Sequence, residues 1–232
     1  MRVGKQILPP TSGYKGVGKR GDRVALHIKI CGFTTEEGIE AAVAAGVNAI
    51  GLVLDPSPRQ LTLERALALK ALIPRGVDVV AVCGRPTSDE IREICEVLQP
   101  DTIQLMADAL PNVPVDVPVL PSFEDGPDLT QRVAHYAASL GRDRPLVLAD
   151  GPKPGSGIRA DWNRVSEISE TTRLIIAGGL NPENVGDAIA LLRPYGVDVS
   201  SGVERAVGCK DPQRIIDFVN SVRAAERFMA AP

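Results

Sequence analysis

Leu174-Ile175-Ile176-Ala177-Gly178-Gly179-Leu180 and Val197-Asp198-Val199-Ser200-Ser201-Gly202, separated by one amphipathic stretch, decide the fold. Each is an apolar run that closes in small residues. Pro182 suits the first position of a helix running through Leu192. Strand, helix and strand in succession, with strands apolar almost throughout, describe a parallel sheet covered on both faces. The spacing predicts strands over Leu174–Gly178 and Val197–Ser201.

The same unit recurs toward the N-terminus. Strands are predicted over Pro145–Asp150, Val117–Ser122, Thr102–Met106, Asp78–Gly84, Asn48–Leu54 and His27–Gly32. Between them lie helical patterns: one opening at Thr34-Thr35-Glu36-Glu37, one over Leu61–Ile73, one capped by Ser88 through Leu98, one over Leu129–Leu140 and one from Asp161. A last helix opens at Asp211-Pro212 and runs to about Arg227. After Thr102–Met106 the pattern fails, because Pro111, Pro114 and Pro118 oppose a regular helix. Eight strand–helix pairs with the fourth helix short or irregular define an α/β fold of the (β/α)8 TIM-barrel class. An open doubly wound sheet is disfavoured, since no GxGxxG follows the first strand.

A chain of 232 residues suits one such barrel, over residues 26–232. Residues 1–25 stand apart as a flexible basic extension, with Pro9, Pro10 and several glycines among Lys5, Lys15, Lys19, Arg20 and Arg23. The net charge of −3 gives no general attraction to nucleic acid or anionic membrane. No apolar run approaches the ~20 residues that span a bilayer. Cys31, Cys83, Cys95 and Cys209 are widely spaced, without CxxC or zinc-ligand spacing. A reducing, cytoplasmic setting follows.

Barrels of this class carry their chemistry at the C-terminal ends of the strands. Cys31 and Asp150 stand there, a thiol and a carboxyl group. A cationic neighbour can draw a thiol toward ionisation, and desolvation can push a carboxyl group upward, so the two can serve as base and acid at one pH. Taken singly, Cys31 also fits a small buried hydrophobe and Asp150 a turn former ahead of Gly151-Pro152. Gly178, Gly179, Ser201 and Gly202 end adjacent strands seven and eight, where barrels bind phosphate through backbone N–H groups. Arg59, after Ser57-Pro58, is either an anion clamp or a solvated arginine. Asp198 lies inside the eighth strand and needs a partner, structural or a substrate hydroxyl.

The chain resembles the phosphoribosylanthranilate isomerase family of tryptophan biosynthesis over nearly all of residues 27–222. The resemblance rests on Lys29-Ile30-Cys31-Gly32, Ser57-Pro58-Arg59, Gln104-Leu105, Asp161-Trp162, Ala177-Gly178-Gly179-Leu180-Asn181-Pro182-Glu183-Asn184-Val185 and Gly196-Val197-Asp198-Val199-Ser200-Ser201-Gly202-Val203-Glu204. It implies a cofactor-free Amadori rearrangement of an aminoaldose phosphate bearing anthranilate. In that case Cys31 is the base that removes the C2 proton and Asp150 the acid that opens the furanose ring. Arg59 meets the anthranilate carboxylate, Asp198 a hydroxyl, and Gly179 with Ser201-Gly202 the phosphate. The implied partner is a small sugar phosphate, and the protein is a monomer or homodimer. Met106-Ala107 replaces the family's His-Gly after strand four, and Ile158 stands where a lysine is usual. These changes leave room for an isomerase acting on a different N-glycosyl amine, or for a silent sugar-phosphate binder.

Overall fold

Alternation along each strand places one set of residues in the barrel and the other against the helices. The computed structural model describes residues 19–20, 23–114, 116–141 and 144–229. Eight parallel strands close into a barrel: β1 (His27–Cys31), β2 (Ala49–Val53), β3 (Asp78–Val82), β4 (Thr102–Met106), β5 (Val119–Glu124), β6 (Leu146–Asp150), β7 (Arg173–Ile176) and β8 (Gly196–Val199). Strand β8 closes on β1, with Asp198 in register with Lys29. Each strand otherwise pairs with its sequence neighbours.

Ile28, Ile30, Ile50, Leu52, Val147 and Val197 face outward into the main core between barrel and helices. The opposite parity fills the barrel, where Ala49, Val80, Leu120, Leu146, Leu148 and Ile175 form a separate inner cluster. Lys29, Cys31, Gln104, Asp150 and Asp198 share that inward parity. The barrel is therefore apolar in its middle and polar toward its C-terminal end.

The helices are α1 (Glu36–Ala45), α2 (Leu63–Lys70), α3 (Ser88–Leu98), α4 (Leu129–Leu140), α5 (Trp162–Ser169), α6 (Val185–Leu192) and α7 (Pro212–Met229). Between β4 and β5 the connection is a stretch of 3-10 helix, Ala107–Asn112, so the irregular fourth helix is borne out. No helix among the described residues is long and apolar enough to cross a membrane.

Several predicted boundaries shift. Thr87, not Ser88, caps α3: its hydroxyl accepts the Glu90 N–H at 3.3 Å, and the Glu90 carboxylate answers to the Thr87 N–H at 2.6 Å, a reciprocal capping box. Helix α6 starts at Val185 rather than at Pro182. The Asn181 carboxamide oxygen accepts the N–H groups of Glu183 and Asn184, at 3.0 and 2.9 Å, and holds Pro182 in a turn ahead of the helix. Strand β5 runs two residues later than predicted, to Glu124, which brings Glu124 level with Asp150. Of the proposed N-terminal extension, Lys19–Arg20 pairs antiparallel with Arg23–Val24. The remainder, apart from Ala25, lies outside the described residues.

Candidate active site

A cavity of about 280 Å³ opens at the C-terminal end of the barrel, and Cys31, Arg59, Asp150, Asp198, Gly179 and Ser201 all line it. Five strand ends that are distant in sequence thus meet at one place, as the strand-end reading requires.

Strand β1 sends Lys29 and Cys31 inward. The Lys29 ammonium, fully buried, pairs with Asp198 Oδ2 at 2.8 Å across the β1–β8 seam. Burial alone would lower this amine, but the adjoining carboxylate holds it above its ordinary value. The other oxygen, Asp198 Oδ1, is buried and has no hydrogen-bond partner among the described residues. Asp198 is thus half satisfied by structure and half open to a ligand. Burial pushes the Cys31 thiol above its usual value, with Lys29 pulling the other way. Gly51 beside it leaves no room for a side chain, because a Cβ there would stand 2.9 Å from Cys31 Sγ.

Asp150 ends β6. Burial pushes its carboxyl group up to about 6, against the Gly151 N–H that donates to Oδ1 at 2.7 Å. A carboxyl group with that value holds a proton over a pH range where an exposed one has lost it.

Arg59 is almost fully buried, and much of its guanidinium is committed. Nε and Nη2 donate to the two oxygens of Glu204 at 2.7 and 2.8 Å, and Nη1 donates to the Gly155 carbonyl at 3.2 Å. A guanidinium has five N–H groups, so two remain, one on each terminal nitrogen. The solvated-arginine alternative is thereby excluded.

Gly178, Gly179 and Ser201 line the wall, whereas Gly202 is set back from it. A Cβ on Gly202 would lie 1.9 Å from the Leu180 carbonyl oxygen, so this glycine serves the packing of one loop on the next. Gly178 adopts φ +80°, and a Cβ there would lie 2.2 Å from Gly151 N, which brings the β6 and β7 loops into contact. The N–H groups of Gly179, Leu180, Ser201 and Gly202 donate to no backbone carbonyl of the described residues. They are available to an oxyanion.

A family model described as N-(5'-phosphoribosyl)anthranilate isomerase matches residues 28–221. The N-(5'-phosphoribosyl)anthranilate isomerase of Chromohalobacter salexigens is 40% identical over 205 residues, which is 84% of this chain and 93% of that one. The chain belongs to this family. Among solved structures, the phosphoribosylanthranilate isomerase of Thermotoga maritima superposes with a TM-score of 0.76 at 28% identity, over 86% of this chain and 99% of that one. A further phosphoribosylanthranilate isomerase structure, also at 28% identity over 86% of this chain and 99% of that one, has a TM-score of 0.73 and holds reduced 1-(o-carboxyphenylamino)-1-deoxyribulose 5-phosphate.

Against that phosphoribosylanthranilate isomerase background, four polar residues of the cavity region stand out that the strand-end reading passed over. Lys29 is a charged residue inside an apolar strand, two positions before Cys31. Its inward parity was a signal in the sequence. Gln104 has the same parity on β4; it is 7% exposed, lines the cavity, and leaves Oε1 without a partner among the described residues. Glu204 and Lys210 left no periodic signal, because they sit opposite each other on a hairpin of two very short strands, Glu204–Ala206 and Cys209–Lys210, between β8 and α7. Cys83 is also buried at the cavity wall, but burial and neighbouring acidic groups push its thiol up to about 12, and no cation opposes them as Lys29 does at Cys31.

Proposed function

We infer that the protein is an N-(5'-phosphoribosyl)anthranilate isomerase, converting N-(5-phospho-β-D-ribosyl)anthranilate to 1-(2-carboxyphenylamino)-1-deoxy-D-ribulose 5-phosphate in tryptophan biosynthesis. The observation that carries the roles is the meeting of a thiol, a half-buried, desolvated carboxyl group titrating near 6 and backbone N–H groups with no backbone partner among the described residues around one cavity, in a chain of this family.

The substrate carbon C1 bears both the amine nitrogen and the ring oxygen. Asp150 gives its proton to the ring oxygen. The C1–O bond breaks, and the nitrogen lone pair forms a C1=N iminium. The Cys31 thiolate then takes the proton from C2, and the C–H pair becomes a C1=C2 bond while the iminium electrons return to nitrogen. The resulting enolamine loses its C2 hydroxyl proton and gains one at C1, which yields the ketone. Atoms and charge balance without cofactor, since the proton Asp150 gives up is matched by the one Cys31 accepts.

The remaining residues hold the substrate. Gly179 and the Ser201 turn receive the phosphate through backbone N–H groups. The open oxygen of Asp198 accepts a ribose hydroxyl. The two free N–H groups of Arg59 face the anthranilate carboxylate. The four cysteines stand as free thiols, which supports a cytoplasmic location, and the protein works as a monomer or homodimer.

The direct test generates phosphoribosylanthranilate in situ from anthranilate and phosphoribosyl pyrophosphate and follows loss of its fluorescence. Rapid decay on adding the protein is expected. A folded protein that leaves the signal intact, yet binds ribose 5-phosphate, overturns the assignment in favour of a different amine or a silent binder.

A further inference from the structure

Glu204 opens the short strand Glu204–Ala206, just past the 3-10 turn Ser201–Val203 that follows β8. Its side chain is 4% exposed. It accepts from Arg59 Nε at 2.7 Å, from Arg59 Nη2 at 2.8 Å and from Lys210 Nζ at 2.8 Å. Lys210, itself fully buried, donates in turn to the Ser200 carbonyl at 3.0 Å and to the Ser200 hydroxyl at 3.3 Å. One carboxylate therefore joins the loop after β2 to the turn after β8, and through Arg59 to Gly155 in the loop after β6. Arg59, Gly155, Ser200 and Ser201 all line the cavity, at its wall.

A structural brace has no need of this charge balance. One arginine and one glutamate would be neutral, whereas this buried cluster has two cations and one carboxylate. Burial lowers the Lys210 ammonium and Glu204 offsets this only in part, so the cluster is better satisfied when an anion meets it. The cavity beside it is where such an anion enters. The cluster also spans the separation of interest, with a guanidinium at one end and the Ser200–Ser201 turn at the other. Burial alone would raise the Glu204 carboxyl group, but the bonds from Arg59 and Lys210 hold it below its usual value, so the link stays charged.

We propose that Glu204 is a positioning residue for a substrate with an anionic group at each end. Its carboxylate fixes the aim of Arg59 at one anion and, through Lys210, ties the Ser200–Ser201 turn that receives the other. The inference rests on the assignment of Arg59 to the aryl carboxylate and of the Ser201 turn to the phosphate. Rigid placement of both ends sets how tightly the substrate is held.

The test compares wild type, Glu204→Gln and Lys210→Met, each checked for folding by circular dichroism and thermal melting. KM and kcat are measured with phosphoribosylanthranilate, and the Kd of ribose 5-phosphate, which has only the phosphate end, is measured by calorimetry. For Glu204→Gln a KM at least tenfold higher is expected, with kcat within about threefold and a weakened ribose 5-phosphate Kd. Lys210→Met should weaken ribose 5-phosphate by a similar factor. Folded Glu204→Gln with wild-type KM and wild-type Kd overturns the proposal and leaves a brace. If Glu204→Gln does not fold, Glu204→Asp replaces it, and the same two constants decide. A wild type without isomerase activity sinks the functional reading alone, because the ribose 5-phosphate measurement still shows whether Glu204 positions the phosphate turn.

Discussion

Replacing Lys29 by methionine isolates the most buried charge in the barrel. The side chains of Lys29 and Asp198 are 0% and 7% exposed and meet at 2.8 Å. Breaking such a pair by removing one partner costs about 3–5 kcal/mol, because the remaining charge stays buried without compensation. At about 2–4 °C per kcal/mol for a domain of this size, the melting temperature should fall by roughly 6–20 °C. The deficit also has a definite pH dependence. In Lys29→Met, burial raises the folded-state value of Asp198 above the unfolded value of about 3.9. The folded state then takes up a proton more readily than the unfolded one, so stability relative to wild type is recovered below about pH 4 and lost as pH rises through the folded value. Urea melts of both proteins at pH 7 and pH 4 measure this. Adding Asp198→Asn to Lys29→Met should restore part of the loss, since a neutral pair no longer carries a stranded charge. A deficit below about 1 kcal/mol at pH 7, or one that does not shrink on acidification, would refute the reasoning about a desolvated pair.

Three further outcomes follow from the cavity. The pH dependence of kcat/KM should rise to a limb near 6, where Asp150 titrates, and fall at a second limb on the alkaline side of the usual thiol range, where burial places Cys31, and alkylation of Cys31 by iodoacetamide should track the upper limb. A profile whose upper limb lies near 7 would contradict the burial argument for the thiol. Gln104→Leu removes a buried amide whose Oε1 has no partner among the described residues, so its melting temperature should hold or rise while KM increases about five- to tenfold; unchanged KM would show that the amide faces no substrate. Gly178→Ala forces a side chain to within 2.2 Å of Gly151 N at a φ of +80°, and a loss of about 1–3 kcal/mol by urea melt together with raised KM is expected; a wild-type melt would mean the two loops part without cost.

The fold was legible because its signal is periodic. Val- and Ile-rich runs alternate with amphipathic stretches, and the prolines at 111, 114 and 118 marked the one connection that is not an α-helix. Local competition moved the boundaries. Pro182 suits a first helical turn, yet the Asn181 carboxamide binds the next N–H groups first and delays the helix to Val185. Thr87 outcompetes Ser88 as a cap because only Thr87 has Glu90 three residues on.

In the site, Cys31, Asp150 and the Gly178–Gly179 end were legible from their place at strand ends. Lys29 and Gln104 were legible in principle, since strand parity puts them inward beside Cys31 and Met106. Gly202 carries a second demand that its place at a strand end does not reveal: without a side chain it lets the turn pack on the Leu180 carbonyl. The Arg59–Glu204–Lys210 cluster was not legible, because Arg59 stands on a loop and its partner Glu204 lies 145 residues on, in strands too short to show a period.

The central claim, that Cys31 and Asp150 divide the proton transfers, is tested most directly by single turnover of phosphoribosylanthranilate followed by fluorescence in wild type, Cys31→Ala and Asp150→Asn, each confirmed as folded and still able to bind ribose 5-phosphate. A fall in rate of at least about a hundredfold in each variant is predicted, the size of a single acid or base contribution. Either variant turning over at the wild-type rate would contradict the account.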